Sequence, residues 1–158
     1  MAVLVPKEFF ITSGYAISPV SDLNAFDLAL FNAQICEQNL VAVSSVIPDG
    51  AVEVDVRPIP MGAVTFCVLS QMRGSSGENI AAGIAYAFRK DGHGGYVAEG
   101  HLHGNSADLK YELERKMKEM ARIRGLEFEE IRYRIEELSV PQGRYGCCVC
   151  SLVFCDFR

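Results

Sequence analysis

The end of the chain, Cys147-Cys148-Val149-Cys150-Ser151-Leu152-Val153-Phe154-Cys155, is apolar at consecutive positions instead of alternate ones. Successive side chains of an extended strand point to opposite faces, so a run of this kind is apolar on both. We read Cys147 to Phe157 as a central strand, covered above and below. The other elements have to supply the cover.

Two segments have helical spacing. Ser21-Asp22 offers an N-cap, and Leu23, Phe26, Leu30 and Ala33 recur at helical intervals, predicting a helix from about Asp22 to Cys36. Ser106 is the expected cap of a second helix, with Asp108 in its first turn. Its stripe is Leu109, Leu113, Met117, Met120 and Ala121, and Gly125 is its stop. The opposite face carries Lys110, Glu112, Glu114, Lys116, Lys118 and Glu119, a solvated surface. Strands are expected at Glu8–Thr12, ended by Ser13-Gly14, at Val64–Met72, and from Phe128 to Leu138. A hairpin pairs Ile80–Arg89 with the segment from Tyr96 across the turn Lys90-Asp91-Gly92-His93-Gly94-Gly95. Two prolines make Arg57–Gly62 irregular. Two helices and about seven strands, with no repeat or linker, predict one layered α+β domain over residues 1–158, with antiparallel or mixed strands between helices.

With a net charge of -5, the chain has no attraction for nucleic acid or an anionic membrane surface. No apolar run reaches the length of a membrane span, and the start lacks the pattern of a signal peptide, so a cytoplasmic protein is expected. Six cysteines raise the question of metal. Cys147 and Cys150 have C-x-x-C spacing, but no second pair follows, and positions three apart on a strand face opposite ways. Buried thiols packed as small hydrophobes in a reducing compartment are expected.

The stretch Asn39-Leu40-Val41-Ala42-Val43-Ser44-Ser45-Val46-Ile47-Pro48-Asp49-Gly50 reads as a buried strand closed by a turn. Its Ser-Ser pair is open to two readings. Two serines can simply end a strand; equally, a hydroxyl beside a forced bend can be held against the preceding carbonyl, the geometry for attack on its own backbone. Glu99, His101 and His103 share one face if the chain stays extended there. That pattern permits a metal site of two imidazoles and a carboxylate, a polar loop without chemistry, or a single acid. As a single acid, Glu99 beside Tyr96, Val97 and Ala98 would be partly desolvated, its pKa raised enough to hold a proton. Asp27 borders the apolar stripe of the first helix, away from the helix start where the dipole would favour a carboxylate, and reads as an exposed helix Asp. No nucleophile elbow, P-loop or dinucleotide fingerprint is present.

Taken together, Leu23-Asn24-Ala25-Phe26-Asp27, Asn39-Leu40, Val43-Ser44-Ser45-Val46-Ile47-Pro48 and Pro60-Met61-Gly62-Ala63 resemble the pyruvoyl-dependent arginine decarboxylases. The similarity continues through Glu99, Lys118-Glu119-Met120-Ala121 and the Gly-Cys start of the last strand. The resemblance implies an αββα sandwich, assembled as a homotrimer or hexamer with sites between subunits. It implies that Ser45 Oγ attacks the Ser44 carbonyl, that the resulting ester eliminates to dehydroalanine, and that hydrolysis releases ammonia and leaves a covalent pyruvoyl group. The chain would divide into a β chain, 1–44, and an α chain, 45–158. The pyruvoyl ketone would take the α-amine of L-arginine as a Schiff base and accept electrons as CO2 leaves, giving agmatine. Ser45, Glu99 and Asn39 are the implied catalytic residues, with Glu99 returning a proton and Asn39 helping to position the pyruvoyl region or its processing. Asp27 receives the guanidinium. Cys36 stands where the resemblance implies a glycine lining the pocket. Another basic amino acid as substrate, a binding protein of the same fold that never cleaves, and a metal hydrolase at Glu99, His101 and His103 are the alternatives.

Overall fold

The computed structural model describes residues 3–157. In chain order the elements are β1 (Pro6–Ser18), α1 (Asp22–Asn32), β2 (Asn39–Ala42), β3 (Val46–Ile47), β4 (Val52–Glu53), β5 (Val64–Ser75), β6 (Asn79–Phe88), β7 (Gly95–His103), α2 (Ser106–Arg124), β8 (Arg132–Ser139) and β9 (Tyr145–Phe157). They form a five-stranded sheet, β2-β5-β9-β1-β4, and a four-stranded sheet, β3-β7-β6-β8. The first is mixed, since β2 and β4 run parallel to their neighbours.

The doubly apolar run is the middle strand of the larger sheet. β9 pairs antiparallel with β1 on one side and β5 on the other, and Gly146 to Phe154 are buried without a break. Phe9, Ile11, Val68, Ile84, Val97, Cys150 and Leu152 fill the space between the sheets. Phe10, Val149 and Val153 turn the other way, against Ala25, Ala29, Leu30 and Ala33 of the α1 region. Leu109, Leu113 and Met117 of α2 pack on Ala81, Ala85 and Ala98 of the smaller sheet. Each of those three side chains, wholly removed from water, contributes about 2 kcal/mol. The layers are therefore helix, sheet, sheet, helix, as the resemblance implies.

Several boundaries differ from the sequence reading. β1 does not stop at Ser13-Gly14 but continues to Ser18, paired with β9 throughout, and a Cβ at Gly14 would collide with the Ala29 carbonyl oxygen. That glycine is where the helix touches the strand, not a turn. α1 ends at Asn32; Gln34 adopts a left-handed φ of 66°, and Leu23 is exposed instead of belonging to the buried stripe. The cap of α2 is Asn105, whose Oδ1 accepts the Asp108 N–H at 2.9 Å, and not Ser106. β8 starts only at Arg132, with Phe128 forming an isolated bridge to Arg89. The serine stretch is not one buried strand. It is two short edge strands in different sheets, β2 and β3, and Val41, Val43 and Val46 are exposed. No described helix is long and apolar enough to cross a membrane.

Candidate active site

The Ser-Ser pair lies where the chain leaves one sheet for the other. Upstream, β2 runs parallel to β5 and the Val43 N–H donates to the Cys67 carbonyl at 2.9 Å. Downstream, the Val97 N–H donates to the Ser45 carbonyl at 2.9 Å, and β3 pairs with the start of β7. The Ser44–Ser45 peptide thus spans the two sheets, fastened on both sides. Ser44 makes no backbone hydrogen bond among the described residues. The bond that would complete the Ser45–Val97 pair, from the Ser45 N–H to the Val97 carbonyl, is not made either. The peptide at which cleavage is expected is therefore not locked in a ladder.

Both serines open onto a groove of about 970 Å³ at the mouth between the sheets. Val68 of β5 lines one wall, Val97 and Glu99 of β7 another, and the face of α2 bearing Arg115, Lys116 and Glu119 a third. The structure brings Ser44, Ser45 and Glu99 together because the Ser45 carbonyl bonds β7 two residues before Glu99. Glu99 is exposed in the single chain, so the desolvation expected from its apolar neighbours is not supplied by this chain alone. Its main-chain carbonyl accepts the Lys116 Nζ at 3.0 Å, and Lys116 also pairs with Glu112 at 3.3 Å. Sequence reasoning placed Lys116 on a solvated face. The i, i+4 spacing of Glu112 and Lys116 was visible, but the reach of Lys116 to β7 follows only from the packing of α2.

Asp27 and Asn39 do not line this groove. Asp27 is exposed in the middle of α1, with Leu23 and Phe31, both exposed, one turn away on either side. Asn39 begins the four-residue β2, and Ser44 lies two residues beyond its end, roughly 17 Å of extended chain away. Its Nδ2 donates to the Gly62 carbonyl at 2.9 Å, and its N–H to the Ala63 carbonyl at 3.0 Å, so it ties the Pro60–Ala63 loop to the serine-bearing segment. Cys36 lies near Asp27, half-buried, its thiol pushed up by burial, then by the Glu37 carboxylate beside it, with Asp27 adding to the effect.

The remaining candidates separate. Glu99, His101 and His103 do share one face of β7, the face that Val97 turns toward the other sheet, but His103 is engaged by Glu78 at 2.6 Å, and no group of three or more potential metal ligands comes together among the described residues. All six cysteines are free thiols. Cys147 faces α1 while Cys150 faces the space between the sheets, and burial pushes both thiols, with that of Cys148, up to about 12. They stay protonated and inert at neutral pH.

With this geometry in hand, comparison with known proteins gives a consistent result. The family model described as pyruvoyl-dependent arginine decarboxylase (PvlArgDC) matches residues 8–158. A pyruvoyl-dependent arginine decarboxylase of Methanothermobacter thermautotrophicus is 34% identical over 155 residues, covering 98% of this chain and 100% of the relative. That of Methanopyrus kandleri is 29% identical over 150 residues, covering 95% of this chain and 97% of the relative. Among solved structures, a pyruvoyl-dependent histidine decarboxylase superposes with a TM-score of 0.51 at 17% identity, over 63% of this chain and 53% of that one, a likeness of fold. A match that takes in the sheet-crossing serines, Glu99 and both helices leaves little of the chain outside it: this protein belongs to the pyruvoyl-dependent arginine decarboxylase family.

Proposed function

We propose that the chain decarboxylates L-arginine to agmatine and CO2, using a pyruvoyl group that it makes from Ser45 by cleaving its own backbone after Ser44. The observation that carries this reading is how Ser45 is held. Its backbone hydrogen bond among the described residues is through the carbonyl oxygen, which a pyruvoyl group keeps; its N–H, which conversion removes, bonds no backbone group there. The conversion therefore leaves the backbone anchorage of residue 45 intact, and the local residues fit the group.

Such a ketone supplies an electrophile for the substrate amine and a sink for the electrons released with CO2. The chain's own groups supply the rest. The main-chain bond from Val97 holds residue 45 at the groove, and Glu99, on the same strand and in the same groove, returns a proton to the substrate α-carbon. Asp27 receives the guanidinium by a charge-assisted pair, and the exposed Leu23 and Phe31 on either side of it suit the methylenes of a long cationic side chain. Asn39 keeps the loop at Gly62 against the serine-bearing strand.

Asp27 and Glu99 are both exposed and do not share a groove within one chain, which supports a site completed between subunits of a homotrimer or hexamer. A second copy covering the groove would also provide the desolvation that Glu99 lacks here. Six free thiols fit a reducing cytoplasm.

Intact mass under denaturing conditions tests the reading. Two fragments are expected, one ending at Ser44 and one starting at residue 45 and lighter by one ammonia than a serine-initiated fragment. Release of CO2 from arginine, compared with lysine and ornithine, then fixes the substrate. Ser45→Ala should give one full-length, folded, inactive chain. A wild-type chain that stays whole after prolonged incubation, or cleavage that persists in Ser45→Ala, overturns the proposal.

A further inference from the structure

Behind Glu99, on the side away from solvent, lies a hydroxyl that neither the sequence reading nor the family match singles out. Ser70 of β5 is 3% exposed. Its Oγ donates to the Gly100 carbonyl at 2.6 Å and accepts the Gly83 N–H at 3.2 Å. Those two groups belong to different strands of the other sheet, and the register places Gly83 directly opposite Gly100. A side chain from the larger sheet thus bridges the paired β6 and β7 of the smaller one, at the residue next to Glu99. A hydroxyl suits the place because it donates and accepts at once, satisfying a buried carbonyl and a buried N–H together.

The backbone around Glu99 is consequently held from three sides. Ser45 accepts from Val97 two residues before it, Lys116 donates to the Glu99 carbonyl itself, and Ser70 holds the carbonyl of the residue after it. We infer that Ser70 is a positioning residue for Glu99: by bonding Gly83 of β6 and Gly100 of β7 at once and tying both to β5, its hydroxyl sets where the Glu99 carboxylate stands relative to residue 45. Without the hydroxyl, the Gly83 N–H and the Gly100 carbonyl lose their shared partner and β7 loses its tie to β5 at this point. β7 is then free to shift at Gly100, and Glu99 moves with it while Val97 stays on Ser45.

The inference rests on the proposed role of Glu99 as proton donor, and the experiment separates the two. Ser70→Ala, Ser70→Thr and Glu99→Gln are compared with wild type for self-cleavage, for kcat and KM with arginine, and for melting temperature. Misplacing a reacting group by a fraction of an ångström to an ångström lowers turnover by about tenfold to a hundredfold. Ser70→Ala should therefore cleave fully and lose about tenfold or more in kcat while KM stays within about twofold, a split that marks a defect in the chemical step. Ser70→Thr, which keeps the hydroxyl, should recover most of the loss. Independently of turnover, the amide resonances of Gly83 and Gly100 in uncleaved Ser45→Ala protein should shift when Ser70→Ala is added and return with Ser70→Thr. Unchanged kcat in Ser70→Ala alongside an inactive Glu99→Gln overturns the role of Ser70 alone; a fully active Glu99→Gln overturns the reading beneath it. If Ser70→Ala does not fold, Ser70→Cys, of similar size and a weak donor, takes its place, with the same losses expected and an unchanged kcat again overturning the inference.

Discussion

Glu99, the proposed proton donor, illustrates how little a side chain's own surroundings say about the role proposed for it. It is exposed, and what marks it is the backbone on either side, bonded to Ser45, Lys116 and Ser70. Glu99→Gln removes the transferable proton and keeps the shape, so the variant should cleave itself normally and lose turnover by about a hundredfold or more, the usual contribution of a positioned acid. Mass spectrometry of the product chains and a CO2-release assay check both halves, and undiminished release removes Glu99 from the mechanism. At this scale the serine pair and Glu99, which meet in one groove, were legible as candidates, because a Ser-Ser before Pro48 and an acid in a hairpin strand are marks in the sequence itself. Ser70 and Lys116 were not, since a serine inside an apolar strand and a lysine on a charged helix face have nothing local to distinguish them. Their partners lie far along the chain, Gly100 for Ser70 and Glu99 for Lys116, and only the packing of β5 and α2 against β7 introduces them.

Among the elements, the short strands around the serines depend on a turn that pairing alone does not explain. Gly94 has φ +82°, and a Cβ there would stand 2.6 Å from the Ile47 carbonyl oxygen and 3.2 Å from the Asp49 nitrogen. The hairpin turn and the Pro48-Asp49-Gly50 turn touch through this missing side chain. Gly94→Ala should cost roughly 1–3 kcal/mol through the positive φ and displace β3, slowing self-cleavage. A thermal melt and a time course of cleavage check it; wild-type cleavage kinetics in a destabilised variant would show that the turn does not steer the serines. The hairpin, the helix stop at Gly125 and the central place of the last strand were readable from turn chemistry and periodicity. The division of the serine stretch was not. Valine-rich runs look alike whether buried or on an edge, and only the pairing with β5 and then β7 makes this one cross between sheets.

Across the whole molecule, the expected cut after Ser44 falls between segments that are interleaved. The part before it contributes β1, which lies between β9 and β4, and β2, which pairs with β5. Each of these neighbours belongs to the part after the cut, and Phe9, Phe10 and Ile11 of β1 are buried among them. The two fragments should elute as one species in native gel filtration and part only in denaturant; a free 1–44 fragment in native buffer contradicts this. The sheet-crossing peptide has a further effect. Val43 is fastened to one sheet and Ser45 to the other, so the unladdered peptide between them exists only after both sheets have formed and met. A nascent or half-assembled chain has no such bond to break, and its serines remain ordinary. On the proposed cleavage, maturation would in that sense be an inspection: the protein would acquire its reactive group only by having folded, and the fraction of cut chain in a preparation would be a permanent tally of the molecules that did.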